Sequence, residues 1–288
     1  MSEFKKIGVV GAGTMGNGIA QLAAQMGAEV VMRDINDDFV QRGIKAVDKF
    51  LSKGVERGKV TAEQKSAVLG RILGTTDMGD LADCDFVIEA VIEDLDLKKQ
   101  VYGQLDEICK PEVILGTNTS SMSITLIAAA TKRPDRVVGM HFFNPPPLMK
   151  LVEIIRGYHT SDATVKATME LAQKMGKETV EVKVDSPGFI VNRLMIPHMI
   201  EAVKLLEEGV ATREDIDKAI KMGLNYPMGP FELMDFTGID ICKFVADYFY
   251  KELNKELKWA SPTTLKNQVR SGKLGRKSGA GWYDYAKK

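Results

Sequence analysis

Cysteine, histidine and tryptophan are scarce in this chain, at three, three and two in 288 residues, and the formal net charge is zero. Each scarcity excludes something. Cys84, Cys109 and Cys242 are widely spaced and odd in number, which suits neither a disulfide framework nor a metal knuckle; they are expected to be small buried apolar residues, and no metal site is predicted. Lysine plus arginine equals aspartate plus glutamate at 39 each. No global field therefore draws the chain to nucleic acid or to an anionic membrane, and an anionic ligand must be met by local charge. No apolar run reaches the length of a membrane span. The opening Met1-Ser2-Glu3-Phe4-Lys5-Lys6 leads straight into the first predicted strand without the pattern of a secretory leader, so a cytoplasmic location is expected.

What is present is a core-forming chain, 44% hydrophobic, long enough for one large or two ordinary domains. Up to about residue 185 strand-like and helix-like runs alternate. Strands are predicted at Ile7–Val10, Val30–Arg33, Phe86–Glu89, Val113–Leu115, Val137–Met140, Leu148–Ile155 and Thr179–Val184. Helices are predicted at Thr14–Met26, onward to about residue 70, near Asp96–Ile108, after Ser123 and over Asp162–Met175. Gly27 stands where a left-handed cap should end the first helix. Repeated βαβ units argue for an α/β fold with a doubly wound, mainly parallel sheet. After Asp185-Ser186-Pro187-Gly188 the pattern turns helical to near residue 272, with Ser186 expected as cap and Pro187 at the first helical position. Two domains follow, 1–185 and an all-α 186–288. The glycine-rich, aromatic tail should be a loop docked by Trp282 and Tyr283.

Gly11-Ala12-Gly13-Thr14-Met15-Gly16 lies between the first strand and the first helix, and Asp34 follows 18 residues past Gly16. This is a Rossmann-type dinucleotide fingerprint in its proper setting. Gly11 permits the tight turn, Gly13 admits a pyrophosphate, Gly16 lets helix and strand approach, and the helix N-terminus offers N–H donors. An acid at Asp34 suits ribose hydroxyls and disfavours a 2′-phosphate, which points to NAD, although the adjacent Arg33 leaves room for NADP.

Ligands of an open parallel sheet sit outside the carboxyl ends of its strands. Those ends read as the Gly11 loop, Asp34, Glu89-Ala90 on to Glu93, Thr117-Asn118-Thr119-Ser120 and His141-Phe142-Phe143-Asn144. Among the histidines, His141 ends an apolar strand just before Pro145-Pro146-Pro147, which must leave regular structure. Glu153 alternates onto the face of Leu151 and Ile155 in the next strand, and an acid there needs a partner. A carboxylate accepting the His141 ring N–H would fix the tautomer and leave the other nitrogen for proton exchange with an alcohol. The competing reading is a satisfied core histidine with an exposed glutamate. His159 in a turn and His198 in a helix read as structural.

Together these segments resemble the 3-hydroxyacyl-CoA dehydrogenase family, especially its short bacterial 3-hydroxybutyryl-CoA form. The resemblance runs through residues 11–16, Asn118-Thr119-Ser120-Ser121, His141-Phe142-Phe143-Asn144-Pro145, residues 187–193, Met228-Gly229-Pro230 and Gly275-Arg276-Lys277-Ser278-Gly279. It implies His141 as catalytic base and acid paired with Glu153, with Ser120 and Asn192 positioning the substrate oxygen. For the cofactor NAD it implies Asp34, Glu93, Lys98, Asn118, Ser120, Asn144 and Lys277 beside the glycine loop. It also implies an acyl-CoA substrate and a homodimer through the C-terminal domain. Asn192 is otherwise a puzzle, since asparagine is a poor interior helix residue. Lys45, Lys49, Lys53 and Arg57 recur every fourth residue and stack on one side of a helix. A charge run is ordinarily a solvated face; the family's use of this arm for coenzyme A implies substrate contacts at Lys53 and Arg57, although a lysine is more usual at the latter. Two rivals remain open: a relative acting on a sugar acid such as gulonate, and a non-catalytic NAD-binding relative.

Overall fold

The structure, a computed structural model, describes residues 4–286. Two compact units divide the chain, one ending at Ser186 and one beginning at Pro187.

The first unit is built on one eight-stranded sheet. In chain order its elements are β1 (Lys6–Val10), α1 (Thr14–Gln25), β2 (Glu29–Arg33), α2 (Asp37–Glu56), α3 (Ala62–Gly70), β3 (Ile72–Thr75), β4 (Phe86–Glu89), α4 (Leu95–Ile108), β5 (Ile114–Thr117), α5 (Ile124–Ala128), β6 (Val137–Phe142), β7 (Leu151–Arg156), α6 (Asp162–Lys174) and β8 (Glu178–Val182). The strand order is β3-β2-β1-β4-β5-β6-β7-β8. The first six strands run parallel, β7 is antiparallel to β6, and β8 is parallel to β7. The order reverses between β1 and β4, and that switch opens a crevice at the carboxyl ends. β4, β5 and β6 are buried along their whole length, as strands covered on both faces must be.

Local signals explain the helices. α2, α4, α5 and α6 are capped by the side chains of Asn36, Asp94, Ser123 and Ser161, and α3 by a full capping box between Thr61 and Gln64. These caps satisfy N–H groups that the first turn leaves unpaired. Gly27 ends α1 with φ +103°, the left-handed turn expected of it.

Three expectations change. β3 is a strand that the sequence pattern does not announce; it is a half-exposed edge with the pattern Ile72 buried, Leu73 exposed and Gly74 and Thr75 partly covered. β7 begins at Leu151 rather than Leu148, because the Leu148 and Met149 N–H groups both donate to the Pro145 carbonyl in a turn. The helix expected from Pro187 begins only at Val191, since Gly188 and Phe189 take φ of +79° and +52°, outside any right-handed helix.

The second unit comprises α7 (Val191–Glu207), α8 (Arg213–Gly223), α9 (Pro230–Thr237), α10 (Ile239–Glu252) and α11 (Thr263–Arg270). Its core joins Ile196, Met199, Val203, Phe231, Phe249, Trp259 and Trp282. Two buried aspartates hold the tail. Asp217 accepts from the Phe231 and Glu232 N–H groups and the Tyr283 hydroxyl. Asp235 accepts from the Trp282 and Tyr283 N–H groups and the Tyr285 hydroxyl. Trp282 thus enters the core edge-on to Phe231, their ring centres 4.8 Å apart. Among the described residues no helix is long and apolar enough to cross a membrane.

Candidate active site

A cavity of about 490 Å³ opens at the carboxyl ends of β1, β2 and β4, bordered by Gly11, Gly13, Asp34, Ile35, Ala90 and Ile92. The glycines shape it in different ways. A Cβ on Gly16 would stand 1.8 Å from the Gly11 carbonyl oxygen, so the α1 turn closes onto the loop only with glycine there. Gly11 has φ +103° and would press a Cβ on the Ala90 carbonyl. Gly13 faces open space, with nothing within 4 Å of where a Cβ would be. Gly13 is also the N-cap of α1 and brings no side-chain acceptor, and no acid lies in the first turn. The helix N-terminus therefore keeps its N–H groups and partial positive charge for an anion. Asp34 accepts from the Ala12 and Ile35 N–H groups, both at 2.7 Å, and so is fixed at the end of β2 with further lone pairs for ribose hydroxyls. A bare helix N-terminus, an open approach at Gly13 and a fixed carboxylate fit a dinucleotide. Thr14 is exposed and Met15 half-buried beside it.

Farther along the edge, a polar network ties β4, α4 and the turn after β5. Glu89, the last residue of β4, and Lys98 of α4 are both fully buried and form an ion pair at 2.7 Å. Glu89 also accepts from the Val91 N–H and the Thr117 hydroxyl, each at 2.7 Å. Burial pushes the Glu89 carboxyl above its ordinary range, and Lys98, Thr117 and Val91 act against that. Glu93 Oε1 accepts from the Ser120 N–H at 2.7 Å and from the Ser120 and Thr119 hydroxyls at 3.0 Å. Glu93 Oε2 faces Lys98 Nζ at 3.8 Å. Asn118 Oδ1 accepts the Phe142 N–H, binding the end of β5 to the end of β6.

His141 and Glu153 are paired residues of β6 and β7. His141 Nδ1 lies 2.6 Å from Glu153 Oε2, the glutamate side chain fully buried and the histidine 7% exposed. Imidazole geometry turns Nε2 away from Glu153. The alternative of a histidine with an exposed glutamate is excluded by that burial. The face alternation was a weaker clue than it looked, because Val152, Glu153, Ile154 and Ile155 are all buried. Phe143 packs on the His141 ring at 4.4 Å, and Asn144 is exposed just beyond.

The remaining candidates lie on α2 and in the helical unit. Lys45, Lys49, Lys53 and Arg57 are all exposed along α2 and at its C-cap, opposite buried Val40, Gly43, Val47 and Leu51. In the helical unit, Asn192 occupies the first turn of α7, half-buried, rather than a helix interior; with the helix starting at Val191 its intrinsic penalty is small. Lys277 pairs with Asp240 at 2.6 Å. His159 is exposed, and His198 lies within α7. The three cysteines are free and buried, and no metal-holding cluster exists among the described residues.

Two contributors escaped the sequence reading. Lys177 Nζ donates to the Pro146 and Met149 carbonyls at 2.6 and 2.8 Å, anchoring the turn after His141. Arg42 lies over the Phe39 ring at 4.5 Å beside the Asp34 end of the cavity. Lys98 shares one buried helical stripe with Val101, Tyr102 and Leu105, a signal that runs against the usual preference of lysine for water.

Comparison with known proteins agrees with this geometry. The family model for the 3-hydroxyacyl-CoA dehydrogenase NAD binding domain matches residues 6–185, and that for the C-terminal domain of the same family matches 188–285. A probable 3-hydroxybutyryl-CoA dehydrogenase of Deinococcus radiodurans is 48% identical over 280 residues, covering 97% of this chain and all of that protein. A 3-hydroxybutyryl-CoA dehydrogenase of Clostridioides difficile is 45% identical, covering 98% of this chain and all of its own. The crystal structure of the (S)-3-hydroxybutyryl-CoA dehydrogenase of Ralstonia eutropha superposes with a TM-score of 0.96 at 45% identity, covering 99% and 100%. A glycine-loop cavity with Asp34, a buried His141–Glu153 pair on the same sheet edge and matches along both units converge: the chain is an NAD-dependent dehydrogenase and belongs to the 3-hydroxyacyl-CoA dehydrogenase family.

Proposed function

We propose that the protein catalyses the reversible oxidation of (S)-3-hydroxyacyl-CoA, with 3-hydroxybutyryl-CoA as its main substrate and acetoacetyl-CoA as product. Bound NAD supplies the hydride acceptor at C4 of its nicotinamide. The observation that carries the reading is the buried His141–Glu153 pair on the sheet edge that bears the glycine loop. Glu153 accepts the Nδ1 proton, which makes Nε2 the basic nitrogen; His141 takes the C3 hydroxyl proton during oxidation and returns it during reduction. Glu153 stabilises the imidazolium that forms, as a buried carboxylate does for the histidine of a hydrolytic triad. Ser120, fixed through Glu93, and Asn192 hold the reacting oxygen, so orientation supplies part of the rate.

For the cofactor the proposal takes the glycine loop for the pyrophosphate, Asp34 for the ribose, and Glu93, Asn118, Ser120, Asn144 and Lys277 for the remainder. Lys98, assigned to the cofactor with them, faces Glu93 at 3.8 Å. Lys53 and Arg57, exposed on α2, meet coenzyme A phosphates as point and forked charges respectively. The active form is a homodimer joined through the helical unit, a reading supported by its exposed apolar residues Leu194, Phe236, Ile241 and Phe244. We place the activity in cytoplasmic short-chain acyl metabolism, butyrate included. The test is incubation of racemic 3-hydroxybutyryl-CoA with NAD, following NADH and the remaining enantiomers. Consumption of the S form alone with acetoacetyl-CoA appearing supports the proposal; no turnover of either form rejects it.

A further inference from the structure

We propose that Glu89 and Lys98 form a buried positioning pair that sets Glu93 and, through it, the Ser120 turn; this deepens the proposed function and rests on it for the role of Ser120. Glu89, fully buried, acts through Lys98 and Glu93 rather than by touching a ligand itself.

The reasoning starts from what such a pair is for. A buried ion pair is weak evidence of stabilisation, because desolvation offsets the attraction and well-packed apolar residues often serve as well. The geometry points to another use. Glu89 Oε1 receives Lys98 and the Val91 N–H, while Oε2 receives the Thr117 hydroxyl, so β4, α4 and β5 all converge on one carboxylate. Lys98 is thereby held with its ammonium 2.7 Å from Glu89 and 3.8 Å from Glu93 Oε2. The first distance is a hydrogen bond; the second is beyond one but within strong Coulomb reach in a partly buried setting.

Glu93 divides its two oxygens accordingly. Oε1 collects three donors, the Ser120 N–H and the hydroxyls of Ser120 and Thr119, while Oε2 is turned to the lysine. Lys98 therefore balances the charge of Glu93 without taking the oxygen that holds the turn. Glu89, at 2.7 Å, is the main restraint that keeps the lysine at that distance, with the Asn118 carbonyl a longer contact at 3.5 Å. Without its charge, the ammonium has Glu93 as its nearest carboxylate, and a direct contact would draw Glu93 away from Ser120. Without Lys98, Glu93 loses its cation and Glu89 is left buried and unneutralised.

The experiment is a double-mutant cycle on NADH affinity, read by ligand fluorescence, with thermal stability measured in parallel. Glu89→Gln keeps the shape of the side chain and removes the charge. Acting through Glu93, it should weaken NADH about tenfold in the native background and have less than a twofold effect once Glu93→Gln is present. Equal effects in both backgrounds, or a loss of melting temperature with unchanged NADH affinity, would overturn the proposal in favour of a purely structural pair. If Glu89→Gln does not fold, the charge-free combination of Glu89→Gln with Lys98→Met takes its place in the same cycle under the same expectation. Native protein that binds NADH but does not turn over acetoacetyl-CoA would count against the proposed function alone.

Discussion

Replacing Glu153 by glutamine preserves the volume of a fully buried side chain while removing the charge 2.6 Å from His141 Nδ1. Two losses follow. The amide can face the ring with either its oxygen or its nitrogen, so the tautomer that makes Nε2 basic is no longer selected. The imidazolium formed during oxidation also loses its counter-charge. Unit charges at that separation interact by about 6 kcal/mol at an effective dielectric of about 20, and only the part that develops in the transition state is lost. A loss of half would be about 3 kcal/mol, roughly a hundredfold in rate. Tautomer misselection adds to this, and the corresponding change in a hydrolytic triad costs about 10⁴. The expected fall in kcat with NADH and acetoacetyl-CoA is therefore on the order of 10²–10⁴, with KM little changed. Circular dichroism and a melting curve establish that the variant is folded. A folded variant with kcat within about threefold of the native enzyme, well inside the loss worked above, would refute the coupling of Glu153 to the proton transfer.

Further expectations follow from the same geometry. His141→Gln should lower kcat on the order of 10²–10⁴ while NADH affinity, measured by fluorescence titration, stays largely intact; near-normal turnover removes His141 from the mechanism. Asp34→Ser should raise the ratio of NADPH to NADH use by about tenfold or more, because the like charge facing a 2′-phosphate is gone; an unchanged ratio means that Asp34 does not reach the ribose. Gly16→Ala puts a methyl 1.8 Å from the Gly11 carbonyl oxygen, so calorimetric NADH binding should be lost or nearly lost, and native-like affinity contradicts the role given to that close approach. Burial pushes the thiols of Cys84, Cys109 and Cys242 up to about 12, 11 and 12. Thiolate is then scarce at pH 8, and a chromogenic disulfide reagent should label the folded protein slowly and all three cysteines promptly in denaturant; rapid labelling without denaturant would contradict this.

Much of the nucleotide half was legible because its signals are local. Gly11, Gly13, Gly16 and Asp34 stand at spacings dictated by a strand, a turn and a helix. The His141–Glu153 pair was harder, since it joins two strands across a proline-rich turn. It could be anticipated only from an acid inside an apolar run, and alternation alone could not say that both faces of β7 are buried. The edge strand β3 stayed hidden because Ile72-Leu73-Gly74-Thr75 is short, carries a glycine and exposes Leu73. The late start of α7 depends on the backbone of Gly188 and Phe189, where Pro187 immediately before them reads as a helix start. Lys98 was visible as a candidate but not as a buried one. Its place on the stripe with Val101, Tyr102 and Leu105 outweighs the usual preference of lysine for water because Glu89 ends the neighbouring strand.

The most direct test of the account is the loss of NADH absorbance with acetoacetyl-CoA, run beside NADPH with the same thioester and NAD with free 3-hydroxybutyrate or gulonate. Rapid turnover confined to NADH and the CoA thioester is the predicted result. Turnover of the free acids with none of the thioester would contradict it, moving the function to sugar-acid oxidation and leaving the lysine stripe on α2 a solvated face.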